Sequence, residues 1–195
     1  MTRDSRGTSL WILAAALCAI AVLAGCGEER PDPARGVDAS FELSSPAFAD
    51  GGAIPVRHAC DGEDISPSIE WSGLPSGTVS LTLIMDDPDA VDVAGHVWDH
   101  WVLYNIPPRA TSLAEGIPPD ADLPGGAHNG RGSTRVGYQG PCPPPGRVHT
   151  YVFRGYAVDS IIDLPGGATR AQVLEAIDGH VLAYAEMTGT YARPE

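Results

Sequence analysis

Apolar residues in this chain come as one unbroken block near the start, then as short runs cut by glycine and proline. The short runs are rich in β-branched and aromatic residues, which predicts strands rather than helices. Residues 79–85 (VSLTLIM) contain no breaker and form the clearest strand. Residues 97–106 (VWDHWVLYNI) and 150–158 (TYVFRGYAV) are the next two, with shorter candidates at 41–43, 54–56 and 69–71. Helical patterning is found in one place. Thr169 and Gln172 make a capping-box pair, Val173, Leu174 and Ile177 follow at helical spacing, and Gly179 ends the run. The segment 180–191 is ambiguous at its start and strand-like over 187–191. Residues 107–135 form a long Gly/Pro-rich loop, and loops of that length inside a compact domain are usually functional or structurally busy. Several strands, few helices and many turns predict a mainly β protein, a β-sandwich with small helical additions.

The apolar block at 9–24 (SLWILAAALCAIAVLA) sets the N-terminus apart. It is short and follows Arg3 and Arg6, so it reads as the hydrophobic region of a signal peptide rather than a membrane span. It closes on Leu23-Ala24-Gly25-Cys26, small residues before a cysteine, a pattern that resembles a bacterial lipobox. That pattern implies cleavage before Cys26 and a lipid on its sulfur; an ordinary signal peptide with a chance cysteine is the alternative. The expected organisation is a signal peptide over 1–25, a flexible tether over 26–38 and one domain over 39–195. The tether is polar and Pro/Gly-containing, with too little apolar surface to fold. The domain is long enough for a real core. The expected location is extracytoplasmic, as a membrane-anchored lipoprotein.

Charge removes one class of function. The chain has 12 Lys+Arg, all arginine, against 25 Asp+Glu, and a net charge of −13. Losing Arg3, Arg6 and Asp4 with the leader makes the remainder one unit more negative. No basic stripe is left for a nucleic acid, and electrostatic adhesion to anionic lipid is disfavoured, so membrane attachment falls to the lipid anchor. Of four cysteines, Cys18 lies in the leader and Cys26 is the lipid site, leaving Cys60 and Cys142. An even pair in an exported, oxidising setting favours a disulfide over two buried free thiols.

Three stretches carry candidate chemistry. Asp86-Asp87-Pro88-Asp89 closes the clearest strand, where Pro88 stops the ladder and holds Asp87 extended. His96 and His100 bracket HVWDH, but in a strand they stand about 13 Å apart, too far to share a metal, and no metal or cofactor is expected. Residues 137–153 (GYQGPCPPPGRVHTYVF) join a proline-stiffened loop to a strand start, where His149 and Tyr151 share a face. Imidazole, phenol and open backbone N–H groups beside a rigid wall suit an oxyanion. No nucleophile is paired to a base. Ser133 sits in a Gly-rich run without a lysine, and no GxSxG elbow occurs. Acid–base hydrolysis by Asp87, His100 and His149 is the alternative to simple binding.

Together these pieces resemble the phosphatidylethanolamine-binding protein family, whose bacterial branch is also called Raf kinase inhibitor-like. The resemblance rests on Asp87-Pro88-Asp89-Ala90, His100-Trp101, Tyr104-Asn105-Ile106-Pro107, Gly140-Pro141-Cys142-Pro143-Pro144 and His149-Thr150-Tyr151. It extends to His58-Ala59-Cys60-Asp61-Gly62, Ser66-Pro67, Gly179-His180-Val181-Leu182-Ala183 and Gly189-Thr190-Tyr191. It implies an antiparallel Greek-key β-sandwich with a few short helices and a small anion pocket at one end. The pocket residues it implies are Asp87, His100, Gly140, Pro141, His149 and Tyr151, with Cys142 in the wall. It also implies a phosphate-like anion or phospholipid head group as ligand, and a kinase or protease as partner. Val91 and Thr150 depart from the family's usual proline and arginine, which points to weaker ligand binding or, at the extreme, a vestigial pocket.

Overall fold

The computed structural model describes residues 32–194. The leader, Cys26 and most of the tether lie outside the described residues. Two sheets face one another. The smaller is ordered β1 (Glu42–Ser44), β3 (Ile69–Ser72), β6 (Ser112–Leu113), with both pairings antiparallel. The larger runs β2 (Gly52–Ala53), β9 (Val181–Ala192), β8 (Val148–Val158), β4 (Ser80–Asp87), β5 (Trp98–Ile106), β7 (His128–Asn129). The expected antiparallel Greek-key sandwich is present, with one parallel pairing, β2 on β9 at the sheet edge. Two short helices complete it, α1 (Val91–Ala94) and α2 (Arg170–Ile177). No helix among the described residues is long and apolar enough to cross a membrane.

Alternation along β4 explains why all eight of its residues are buried. Leu81, Leu83 and Met85 enter the core between the sheets with Trp71, Trp101, Phe153 and Met187. Ile84 points the other way, into a second core where Val173, Leu174 and Ile177 of α2 cover Val102, Tyr104 and Tyr156. A strand buried on both faces loses the apolar–polar alternation of a half-exposed one and reads as a continuous apolar run. The same alternation sends Asp86 outward, to Arg154 and Arg170, and Asp87 inward.

Two irregularities in the β4–β5 ladder matter. Met85 pairs Trp101 and Asp86 pairs Asp99, so His100 is an extra residue between them. Leu81 pairs Ile106 and Leu83 pairs Leu103, leaving a second extra residue near Asn105, whose φ is 56°. The Asn105 side chain takes over the lost pairing. Its Nδ2 donates to the Ile162 carbonyl (2.9 Å) and its Oδ1 accepts from the Ile162 N–H (2.8 Å).

The helix expected after Thr169 is α2, with both hydrogen bonds of its capping box formed. The strands expected over 79–85, 97–106 and 150–158 correspond to β4, β5 and β8, and the ambiguous 180–191 is strand from Val181. One expectation is corrected. Residues 54–56 are not a strand, because Pro55 has no N–H for a ladder and instead leads into a 3₁₀ turn over Val56–His58. The described end of the tether, from Asp32, forms a turn on the outer face, where the Tyr156 hydroxyl donates to Asp32 (3.0 Å).

Candidate ligand-binding site

The inward end of β4 opens into a cavity of about 270 Å³. Four of the expected residues line it: Asp87, His100, Cys142 and His149. Asp87 occupies the last position of β4, and Pro88 there ends the strand and starts a 3₁₀ turn. The Asp87 carboxylate caps that turn, with Oδ1 accepting from the Ala90 N–H (3.1 Å) and Oδ2 from His149 Nδ1 (2.8 Å). Both residues are buried, so this pair is shielded from bulk water and salt. His149 faces inward because it stands two residues before Tyr151 on β8, whose side chain is in the inter-sheet core.

His100 reaches the cavity by a different route. Strict alternation from inward Trp101 would turn it to the outer face beside Val102. The bulge at His100 re-aims it, so that His100 and Trp101 both face inward while Asp99 turns outward to Arg170. Its ring lies edge-on to Tyr151, with centroids 5.1 Å apart. Nδ1 hydrogen-bonds the Gln139 carbonyl (2.8 Å), and the Gln139 N–H returns a bond to the His100 carbonyl (2.9 Å). Burial pushes the His100 pKa below its ordinary value, outweighing the Gln139 carbonyl and the negative charges of Asp87 and Asp64, which pull it up. His100 is therefore neutral at pH 7, with its proton on Nδ1.

Tyr151 is fully buried, and its hydroxyl makes no hydrogen bond of good geometry. Burial first and the Asp87 charge second raise its pKa far above the ordinary phenol value, so the hydroxyl stays protonated. The Asp87 carboxylate and the Cys142 backbone N–H lie near this hydroxyl without meeting it in good geometry, which leaves the phenol a donor beside Asp87 at the back of the cavity.

Gly140 and Pro141 are not among the residues that line the cavity; they build its wall from behind. The Gly140 N–H donates to Asp64 Oδ1 (2.6 Å), and a Cβ at this position would lie 2.3 Å from the His58 carbonyl oxygen. The Pro141 carbonyl accepts from the Cys60 N–H (3.0 Å). The expected Cys60–Cys142 disulfide is formed and fastens the same wall. His96 stays outside the cavity, stacked on Trp98, with Nδ1 bonded to the Ala94 carbonyl. Among the described residues no group of three or more His, Cys, Asp or Glu is arranged to hold a metal ion.

Sequence reasoning missed Trp98, Val93, Ala94, Gln139 and Arg193, which also line the cavity. Arg193 matters most. Asp61 anchors its guanidinium (Nη2–Oδ1 2.8 Å) and so brings a positive charge to the rim. Thr150, where the resemblance leads one to expect arginine, lies on the opposite strand face from His149, and its N–H donates to Asp89 (2.7 Å). Val91 opens α1 and is 47% exposed.

Comparison with known proteins gives a consistent result. The family model described as phosphatidylethanolamine-binding protein matches residues 44–192. A UPF0098 protein of Methanothermobacter thermautotrophicus is 51% identical over 154 residues, which is 78% of this chain and 99% of that one. A Mycobacterium tuberculosis protein named as a candidate lipoprotein, LppC, is 37% identical over 196 residues, covering 91% of this chain and 93% of that one. Among solved structures, Escherichia coli YbcL, described as a new member of the mammalian PEBP family, aligns with a TM-score of 0.73 at 32% identity. That alignment covers 80% of this chain and 100% of YbcL.

Proposed function

The chain belongs to the phosphatidylethanolamine-binding protein family, and on that premise we propose that it is a lipid-anchored, extracytoplasmic binding protein for small phosphate-like anions. The observation that carries this reading is the set of polar groups turned on one small cavity: the Asp87–His149 pair, His100, and the Arg193 guanidinium at the rim. The Tyr151 hydroxyl behind them, near Asp87 but without a hydrogen bond of good geometry, supports it as a further donor for a ligand oxygen. A free phosphate or a phospholipid head group would supply such an oxygen. The anchor rests on the lipobox at Cys26 and is supported by the lipoprotein relative. The disulfide supports an oxidising compartment. A bound anion would also complete a surface that modulates a partner protein.

Hydrolysis is the second reading, because a carboxylate that orients an imidazole can also serve acid–base chemistry. The cavity lining holds no serine or threonine, so water would have to be the nucleophile. Calorimetric titration of the full-length chain in detergent with inorganic phosphate tests the binding reading. Saturable binding that weakens at least tenfold in His149→Gln supports it, and equal binding by that variant overturns it. Turnover of a phosphoester that is lost in Asp87→Asn would move the assignment to hydrolysis.

A further inference from the structure

The two cavity histidines lean on different partners. His149 aims Nδ1 at a carboxylate, Asp87. His100 aims Nδ1 at a neutral acceptor, the Gln139 carbonyl, held in register by the return bond from the Gln139 N–H. A carbonyl oxygen only accepts, so Nδ1 of His100 carries the ring proton and Nε2 carries a lone pair. The Gly140 carbonyl is the other backbone oxygen near the ring, but no hydrogen bond of good geometry from a described residue engages that Nε2, nor is it among the buried atoms left without a partner. It is thus the atom His100 offers to the cavity.

An oxyanion oxygen placed against this lone pair is repelled, whereas an oxyanion hydroxyl satisfies it. Protonating His100 would remove the conflict, but burial works against that. The charges near the ring are Asp87 and Asp64, with Arg193 at the rim and the Tyr151 ring edge-on, and burial outweighs the pull of the two carboxylates. Resting on the reading of the cavity as an oxyanion site, we infer that it selects oxyanions that keep a hydroxyl. Inorganic phosphate qualifies, as does a phosphomonoester in its monoanionic form. Sulfate and phosphodiesters do not, and an intact diester phospholipid head group is therefore a poor ligand.

The test is calorimetric titration of the full-length chain in detergent near pH 7.5 with inorganic phosphate, sulfate and dimethyl phosphate. Sulfate matches the charge of hydrogen phosphate, and dimethyl phosphate matches that of dihydrogen phosphate, so charge alone explains no difference. Phosphate is expected to bind tighter than both by between about fivefold and about a hundredfold, the range for leaving one buried acceptor unmet. Sulfate or dimethyl phosphate binding as tightly as phosphate would overturn the selection while leaving the oxyanion site intact. Absence of binding by all three would overturn both. Nitrogen-15 NMR of the free protein gives an independent check. His100 is expected neutral and protonated at Nδ1; a ring protonated at Nε2 would refute the inference whatever the affinities. Phosphoethanolamine separates the sources, because it keeps a hydroxyl only below its second ionisation near pH 6. If it matches phosphate near pH 5.5, the site accepts phosphomonoesters such as a head group freed from its lipid; if it stays weaker, the ligand is free phosphate, and the hydroxyl requirement stands in both cases.

Discussion

Removing the Cys60–Cys142 bridge, by the paired change Cys60→Ala and Cys142→Ala, should reveal how the cavity wall is held. The two residues are separated by 82 positions in the chain, so the bridge closes a long loop in the unfolded state. The chain-entropy relation gives about 4.5 kcal/mol for a loop of that length. Native contacts around the bridge do not depend on sulfur. Cys60 N–H still meets the Pro141 carbonyl, Gly140 N–H still meets Asp64, and the Tyr138 hydroxyl still donates to the His58 carbonyl. The folded geometry is expected to survive and the loss to come from the unfolded chain. For a domain of this size the midpoint temperature should fall by about 9–18 °C. Urea unfolding of the oxidised protein and the paired variant, followed by tryptophan fluorescence, measures the difference. A loss below about 1 kcal/mol would show instead that residual structure in the unfolded chain closes the loop without the bridge.

Three other changes probe the site. Tyr151→Phe removes a hydroxyl that makes no hydrogen bond of good geometry in the folded protein, so stability should stay within about 1 kcal/mol, while phosphate affinity falls; denaturation and calorimetry on the same sample separate the two effects. Gly140→Ala puts a methyl 2.3 Å from the His58 carbonyl oxygen and should cost about 1–3 kcal/mol in urea unfolding, weakening ligand binding as the Gln139 carbonyl shifts. The folded pKa of His100 is depressed, so its contribution is fully present above the unfolded value of 6.5 and is lost as pH falls through the folded value. Stability of the native chain should therefore drop on acidification below 6.5 more steeply than that of His100→Asn, and parallel pH profiles would contradict this.

The strands were legible where burial made them so. Residues 79–85 read as one apolar run because β4 is covered on both faces, and the capping box announced α2 before any contact was known. The local conformations that build the site were less visible. His100 faces the cavity only through a bulge, which depends on how β5 registers against β4 and leaves no mark in a single strand's sequence. The bulge near Asn105 has a weak signal, since asparagine tolerates positive φ, but a strand reading passes over it. Residues 54–56 were misread because apolar type was weighed above the missing Pro55 N–H. Arg193 was missed because its role depends on Asp61, far away in sequence, which steers it to the rim. Asp87, Cys142 and His149 were visible as candidates, whereas which partner each histidine leans on, Asp87 for His149 and the Gln139 carbonyl for His100, needed the fold.

On the reading proposed above, one cavity, lined by His100 and His149, is the place where this protein meets an oxyanion. The most direct measurement is histidine-resolved NMR of the full-length chain in detergent, titrated with inorganic phosphate. Saturable shifts are expected at His100 and His149 with a common midpoint, and none at His96 or His180, which lie outside the cavity. Unchanged His100 and His149 signals at millimolar phosphate, or shifts spread equally over all six histidines, would contradict it.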